Sequence, residues 1–117
     1  MNTQAPVSSI MTKNLITANI TDDLRHVNTL LKRNHIRHIP VVSGDKLVGI
    51  VSKSDILRLS FGDIYEGREQ ADDTIFDLLK LEQVMVSNPR TVQADDTIRT
   101  VAEIFASEEF HALPVME

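Results

Sequence analysis

The chain has no cysteine and no tryptophan, and only one tyrosine and four phenylalanines among its 117 residues. Without thiols there is no disulfide, no thiolate metal site and no cysteine nucleophile, a composition suited to a reducing compartment. The scarcity of aromatic rings leaves isoleucine, valine and leucine to build the core, and little with which to stack nucleic-acid bases. No uninterrupted apolar run approaches the roughly 20 residues that span a bilayer. The opening MNTQAPVSSIMT lacks the basic start and apolar centre of a signal peptide. What is present, 42% apolar and 25% charged residues, fits an ordered globular chain with room for one compact domain and a modest core. The expectation is a soluble, cytoplasmic protein.

The net charge of -5 disfavours a nucleic-acid footprint, but it averages two unlike halves. Residues 1–58 carry eight Lys or Arg against four Asp or Glu, whereas residues 59–117 carry four against thirteen. An anionic small molecule is therefore easier to place against the first half. Attraction between the halves, within a monomer or across a dimer, is the other use of that asymmetry.

Shifting the chain by 74 positions aligns IMTKNLITANITDDLRHVNTLLKRNHIRHIPVV with VMVSNPRTVQADDTIRTVAEIFASEEFHALPVM without a gap. Met11 falls on Met85, Asn14 on Asn88, Thr17 on Thr91, Asp22 on Asp96, Arg25 on Arg99, Val27 on Val101, and Pro40-Val41 on Pro114-Val115. The chain is a duplicated unit. In each copy a short extended run, Leu15 to Thr17 or Arg90 to Val92, leads to an acidic helix start. Thr21 or Asp22 is suited to cap the first helix, and Asp95 or Asp96 the second. Leu24, Val27, Leu30 and Leu31 then share one face, as do Ile98, Val101, Ile104 and Phe105. Asn34 marks the end of the first helix, and strands follow at Ile39 to Val42 and Leu113 to Met116.

The first copy continues through a Ser43-Gly44-Asp45 turn, a strand from Leu47 to Val51 and a helix from Ser52 to Leu59, making the unit β-α-β-β-α. Residues 7–60 form the first repeat and residues 84–117 the second. Between them, residues 61–83 are an insert whose stretch Asp72 to Glu82 reads as an amphipathic helix, with Ile75, Phe76, Leu78 and Leu79 available for packing. The second repeat is incomplete at its C-terminal end. Its strand near Leu113 to Met116 lacks the neighbour found in the first, so a continuation of the chain or a second chain is expected to cover that edge.

The segment GIVSKSD, residues 49–55, carries the most chemistry. Ser52 and Asp55 stand three apart at a helix start and can face one ligand. A carboxylate accepts two hydroxyl donors well, backbone donors at a helix tip favour phosphate, and Lys53 adds a flexible positive charge. Gly49 permits close backbone approach. The same Ser-x-x-Asp spacing also resembles a capping box, in which the two side chains merely start the helix.

Other constellations are weaker. His26, His35 and His38 lack further convergent ligands and no HExxH pattern exists, so no metal site is expected. No nucleophile elbow or P-loop organises the serines, histidines and aspartates. The paired acids Asp22-Asp23, Asp72-Asp73 and Asp95-Asp96 precede apolar helical stripes and serve as helix starts. The chain is not expected to be an enzyme.

Taken in order, VSSIMTKNLIT, the acidic DDL, the apolar-striped helix, NHIRHIPVV and GDKLVGIVSKSD resemble a CBS-domain pair, the tandem sensory unit often called a Bateman module. The resemblance spans nearly all of residues 7–117, apart from the insert and the missing end of the second repeat. It implies an α/β (α+β) fold of tandem β-α-β-β-α repeats packed as a pseudo-two-fold pair. It also implies a regulatory cleft for AMP, ADP, ATP or S-adenosylmethionine, with no catalytic cofactor. Asp55 would then accept both ribose hydroxyls and Ser52 would touch phosphate or ribose, while Gly49 and Lys53 complete the motif. Leu15, Ile16 and Thr17 would present backbone groups and an apolar edge to adenine. Arg37, His38, Ile39 and Pro40 would line the same cleft, with Arg37 or His38 near phosphate. The resemblance further implies a homodimer and a regulated protein partner, while the acidic second half and the lack of a long apolar run leave no role expected for nucleic acid or membrane. The alternative is a ligand-free structural module for dimerisation or protein interaction.

Overall fold

The computed structural model describes residues 2–59, 76–109 and 111–117. Helices and strands are mixed, as expected, and the chain divides into two compact units: residues 16–88, and residues 1–15 together with 89–117.

These units cut across the sequence repeat. The larger one contains β1 (Ala18–Asn19), α1 (Leu24–Arg33), β2 (His38–Ser43), β3 (Lys46–Ser52), α2 (Lys53–Leu59), α3 (Leu81–Val84) and β4 (Val86–Ser87). The smaller holds a 3-10 turn (Val7–Ser9), β5 (Val92–Gln93), α4 (Ile98–Ser107) and β6 (Val115–Met116). The lead-in to each copy thus folds with the other copy. Val7 N–H donates to the Asp96 carbonyl (2.7 Å) and Ile98 N–H to the Ala5 carbonyl (2.9 Å). In the larger unit β4 pairs antiparallel with β3, Gly49 opposite Ser87 and Ile50 opposite Val86.

The larger unit is a four-stranded sheet in the order β1-β2-β3-β4 packed against α1. β1 and β2 run parallel, which requires the α1 crossover between them. β2 and β3 form the expected hairpin, whose two-residue loop places Gly44 at φ +62° as the first loop residue. That is the backbone region a type II′ turn requires and glycine adopts without strain. Leu24, Val27 and Leu31 bury the expected α1 stripe against Ile39, Val41 and Val51, the alternate inward residues of the hairpin. The same core takes in Ala18, Ile56, Phe76 and Leu81.

The helix caps differ from expectation by one residue. Asp23, not Thr21 or Asp22, caps α1 by accepting the His26 N–H (2.7 Å), and Thr97, not Asp95 or Asp96, caps α4 by accepting the Thr100 N–H (3.1 Å). Asp22 and Asp96 instead close the preceding turns, accepting the Asn19 and Gln93 N–H groups at 2.8 Å each. The duplication is reproduced bond for bond. Asn34 does end α1, and His35 follows at φ 52°. The Ile36 N–H then reaches the Leu31 carbonyl (3.1 Å) and the His35 N–H the Lys32 carbonyl (3.3 Å), a Schellman arrangement.

In the smaller unit β5 and β6 pair in parallel, Val92 with Val115 and Gln93 with Met116. This repeats the β1–β2 register of Ala18 with Val41 and Asn19 with Val42. Val7, Val92 and Val101 form its core, with Ile104 partly buried beside them. Phe105, assigned by periodicity to the apolar face of α4, is 40% exposed, because that small core does not extend under it.

The expected helix from Asp72 to Glu82 is divided. Residues 72–75 lie outside the described residues, 76–78 are helical, and the chain leaves the helix at Leu79-Lys80 before α3 begins. Phe76 is buried in the core, Leu78 is exposed, and Asp77 pairs with Arg25 of α1 (3.1 Å).

Asn14 and Asn88, equivalent in the repeat, both adopt the left-handed region, at φ 57° and 50°. Each stands within a residue of the point where the chain passes between the two units. Asparagine tolerates this region better than residues without a short polar side chain, and glycine enters it without penalty. Asn14→Ala and Asn88→Ala should each cost about 1 kcal/mol in denaturant unfolding, whereas the glycine variants should remain near the parent. Equal stability of the alanine and glycine variants would rule out this backbone role.

Candidate functional site

The β2–β3 hairpin brings most of the sequence-predicted residues together. Its register sets His38 opposite Ser52, Ile39 opposite Val51, Pro40 opposite Ile50 and Val41 opposite Gly49. The segments 37–40 and 49–53, distant in their reading along the chain, are neighbours across one ladder. The Lys53 N–H donates to the Arg37 carbonyl (2.7 Å), which holds the first residue of α2 against the start of β2.

At the β3–α2 junction Ser52 and Asp55 bond each other's backbone. Asp55 Oδ2 accepts the Ser52 N–H (3.0 Å), and Ser52 Oγ accepts the Asp55 N–H (3.0 Å). This reciprocal pair is a capping box with aspartate in place of the usual glutamate or glutamine. Asp55 Oδ1 accepts from Arg58 Nη2 one turn further along α2. The Asp55 side chain is only 14% exposed and that of Arg58 is 73% exposed. The carboxylate is thus oriented by the backbone on one oxygen and covered by a solvated guanidinium on the other. Two of the backbone donors at this helix tip, those of Lys53 and Asp55, are taken by the Arg37 carbonyl and Ser52 Oγ.

The remaining predicted residues divide by burial. Arg37 and Lys53 are exposed, while His38, Pro40 and Ser52 are half-buried. Ile39 is completely buried, so its side chain serves the core. Thr17 is exposed and Ile16 packs at the edge of the core of the larger unit. Leu15 is 55% exposed and belongs to the smaller unit.

Gly49 does allow a close approach, but the group that approaches is Met85. A Cβ built at Gly49 would lie 2.4 Å from Met85 Sδ and 2.9 Å from Met85 Cγ. The methionine belongs to the second sequence repeat and lies against β3 of the first. Sequence reasoning assigned no packing role to Met85 and no site role to Arg58. The second was detectable from its i, i+3 spacing to Asp55 on the predicted helix.

The CBS domain family pattern matches residues 7–62 and 81–117. This chain belongs to the CBS-domain family. Its two matched segments make it a CBS pair, and solved CBS proteins share its fold. Uncharacterized protein MJ1225 of Methanocaldococcus jannaschii is 27% identical over 112 residues, 95% of this chain and 40% of that protein. Its crystal structure superimposes with a TM-score of 0.81 at 25% identity, over 100% of this chain and 42% of the other. Homoserine O-acetyltransferase of Methanococcus vannielii is 30% identical over 95% of this chain, but over only 21% of its own length. The CBS pair thus spans less than half of these two relatives.

Two ligand complexes have the same fold. The CBS pair of protein MJ0100, in complex with 5′-methylthioadenosine and S-adenosyl-L-methionine, gives a TM-score of 0.76 at 25% identity over 96% of this chain and 80% of that one. CBSX2, an Arabidopsis thaliana protein, in complex with AMP gives 0.77 at 22% identity over 97% of this chain and 82% of that one, a likeness of fold. Among the described residues no helix is long and apolar enough to cross a membrane.

Proposed function

We propose that this CBS pair is a regulatory module that binds an adenosine-type ligand at the junction of β2, β3 and α2, and that it performs no bond-making chemistry. The observation that carries this reading is the oriented, mostly buried carboxylate of Asp55, with exposed Arg37 and Lys53 on the adjoining segment ends. A carboxylate whose position is held in advance can accept the two hydroxyls of a ribose with little ordering cost. The Arg37 and Lys53 side chains supply positive charge for a phosphate. The capping box does not compete with this role, because each carboxylate oxygen has a second lone pair. The adenosyl compounds bound by MJ0100 support the ligand class.

AMP, ADP, ATP and S-adenosylmethionine are the candidates. Binding would bias the packing of the module, and a regulated protein would read that shape. Association as a homodimer, in the cytoplasm, completes the proposal. A ligand-free association module is the second reading, favoured by Leu57, Leu78 and Val86, which stand 50%, 74% and 53% exposed on the larger unit. Light scattering of the protein with and without each ligand measures the association.

Calorimetric titration with AMP, ATP and S-adenosylmethionine separates the two readings. At least one should bind in the micromolar range. Asp55→Ala should weaken it by about tenfold or more, the scale of hydrogen bonds to a charged group. Thermal unfolding of the variant must show a folded protein, since loss of the cap alone removes about 1 kcal/mol. Absence of binding to all three compounds at high micromolar concentration would leave the association reading. Unchanged affinity in folded Asp55→Ala would remove Asp55 from the site.

A further inference from the structure

The contact between Arg58 and Asp55 gives this site a means of choosing among adenosine ligands. We infer that Arg58 selects for a phosphorylated ligand over a neutral or cationic one, an inference that rests on the proposed ribose role of Asp55.

The two partners have unequal surroundings. The carboxylate is held by the Ser52 N–H on Oδ2 and is largely enclosed, whereas the guanidinium on Oδ1 is mostly in water. An ion pair with so exposed a cation contributes little to stability and exchanges readily. Arg58 is therefore a mobile cover on a fixed anion. Oδ1 keeps a second lone pair, but the carboxylate is largely enclosed and the guanidinium covers its open side, so a ribose diol that engages both oxygens crowds Arg58 off Oδ1.

What happens to the displaced guanidinium depends on the ligand. It remains tethered three residues from Asp55, within reach of groups on the same sugar. A 5′-phosphate offers it two oxygens in the fork geometry that arginine matches best, so one charge-assisted pair is exchanged for another. Adenosine provides no replacement, and the lost contact reduces its affinity. S-adenosylmethionine places a sulfonium of like charge where the phosphate would be, and its one carboxylate stands beyond that sulfonium beside an ammonium group. Lys53, the first residue of α2, and Arg37, whose carbonyl binds the Lys53 N–H, reinforce the same preference. The ligand class favoured here is a nucleoside phosphate.

The test is a cycle in which Arg58→Gln is crossed with removal of the phosphate, by titrating parent and variant protein with AMP and with adenosine. In the parent, AMP should bind the more tightly. In Arg58→Gln the ratio of the adenosine to the AMP dissociation constant should fall by about tenfold, with AMP weakened and adenosine unchanged or tightened. Arg58→Lys keeps the charge but not the fork, and should give an intermediate ratio; that variant decides the matter if Arg58→Gln does not fold. If AMP binds the parent and either folded variant retains the parental ratio, selection by Arg58 is overturned while the adenosine site stands. If neither compound binds the parent while ATP or S-adenosylmethionine does, the inference falls and the site stands; if none of the four binds, the site and the inference fall together.

Discussion

Leu24→Ala should unfold a large fraction of the stability of the larger unit, with an expected loss of about 3–4 kcal/mol in chemical denaturation. Leu24 is 0% exposed at the first turn of α1, where it joins Val27 and Leu31 against the β2–β3 hairpin. Truncation removes the transfer energy of the lost side-chain carbons and leaves a cavity that a sheet and a capped helix cannot close without moving apart. Since whole domains are stable by only about 5–15 kcal/mol, such a loss should be visible as a lower denaturation midpoint. Because Asp23 fixes the helix start immediately before Leu24, the helix is not free to slide and refill the space. A cost below about 1 kcal/mol would show that the core repacks around this position or that Leu24 is not in it.

Gly49→Val should be the second large effect, at about 2–3 kcal/mol, and it should depend on Met85. The added carbons would enter space already occupied by Met85 Sδ and Cγ. Methionine is flexible, so part of the overlap is relieved by rotation, but the Cγ contact lies close to the methionine backbone. In a Met85→Ala background the cost of Gly49→Val should shrink by at least about 1 kcal/mol, a coupling that a double-mutant cycle reads directly. An unchanged cost would place the conflict elsewhere. A stable Gly49→Val protein that loses only ligand affinity would instead restore the glycine to the ligand role expected from its motif.

Leu24 was identified by local periodicity, because a helical stripe of Leu24, Val27, Leu30 and Leu31 has one side to bury whatever lies opposite. Phe105 obeyed the same periodicity yet is 40% exposed, since periodicity supplies a face and the size of the core beneath it depends on other elements. The caps show a finer limit. DDL contains two adjacent carboxylates able to start a helix, and the position of the preceding turn determines that Asp22 closes the turn while Asp23 caps α1. Asp77 and Arg25 are 52 positions apart, so their pairing had no local signal.

The sequence by itself determined the duplication, the order of the main elements of the first repeat, the burial of the first helix and the segment bearing the candidate site. All of these depend on short-range patterns: turn residues, alternation, helical spacing and a shift of 74 between matching residues such as Met11 and Met85. Only the tertiary structure decided that the lead-in of each copy folds with the other copy. That exchange is set by backbone pairing between segments whose compatibility does not show in composition. It also decided that Met85 occupies the space above Gly49, and that Arg58 covers one oxygen of an aspartate whose other oxygen starts a helix. The Gly49–Met85 contact joins segments distant in sequence and leaves no periodicity to read, whereas the Asp55–Arg58 spacing is local and only the folded helix start decides which oxygen the guanidinium meets.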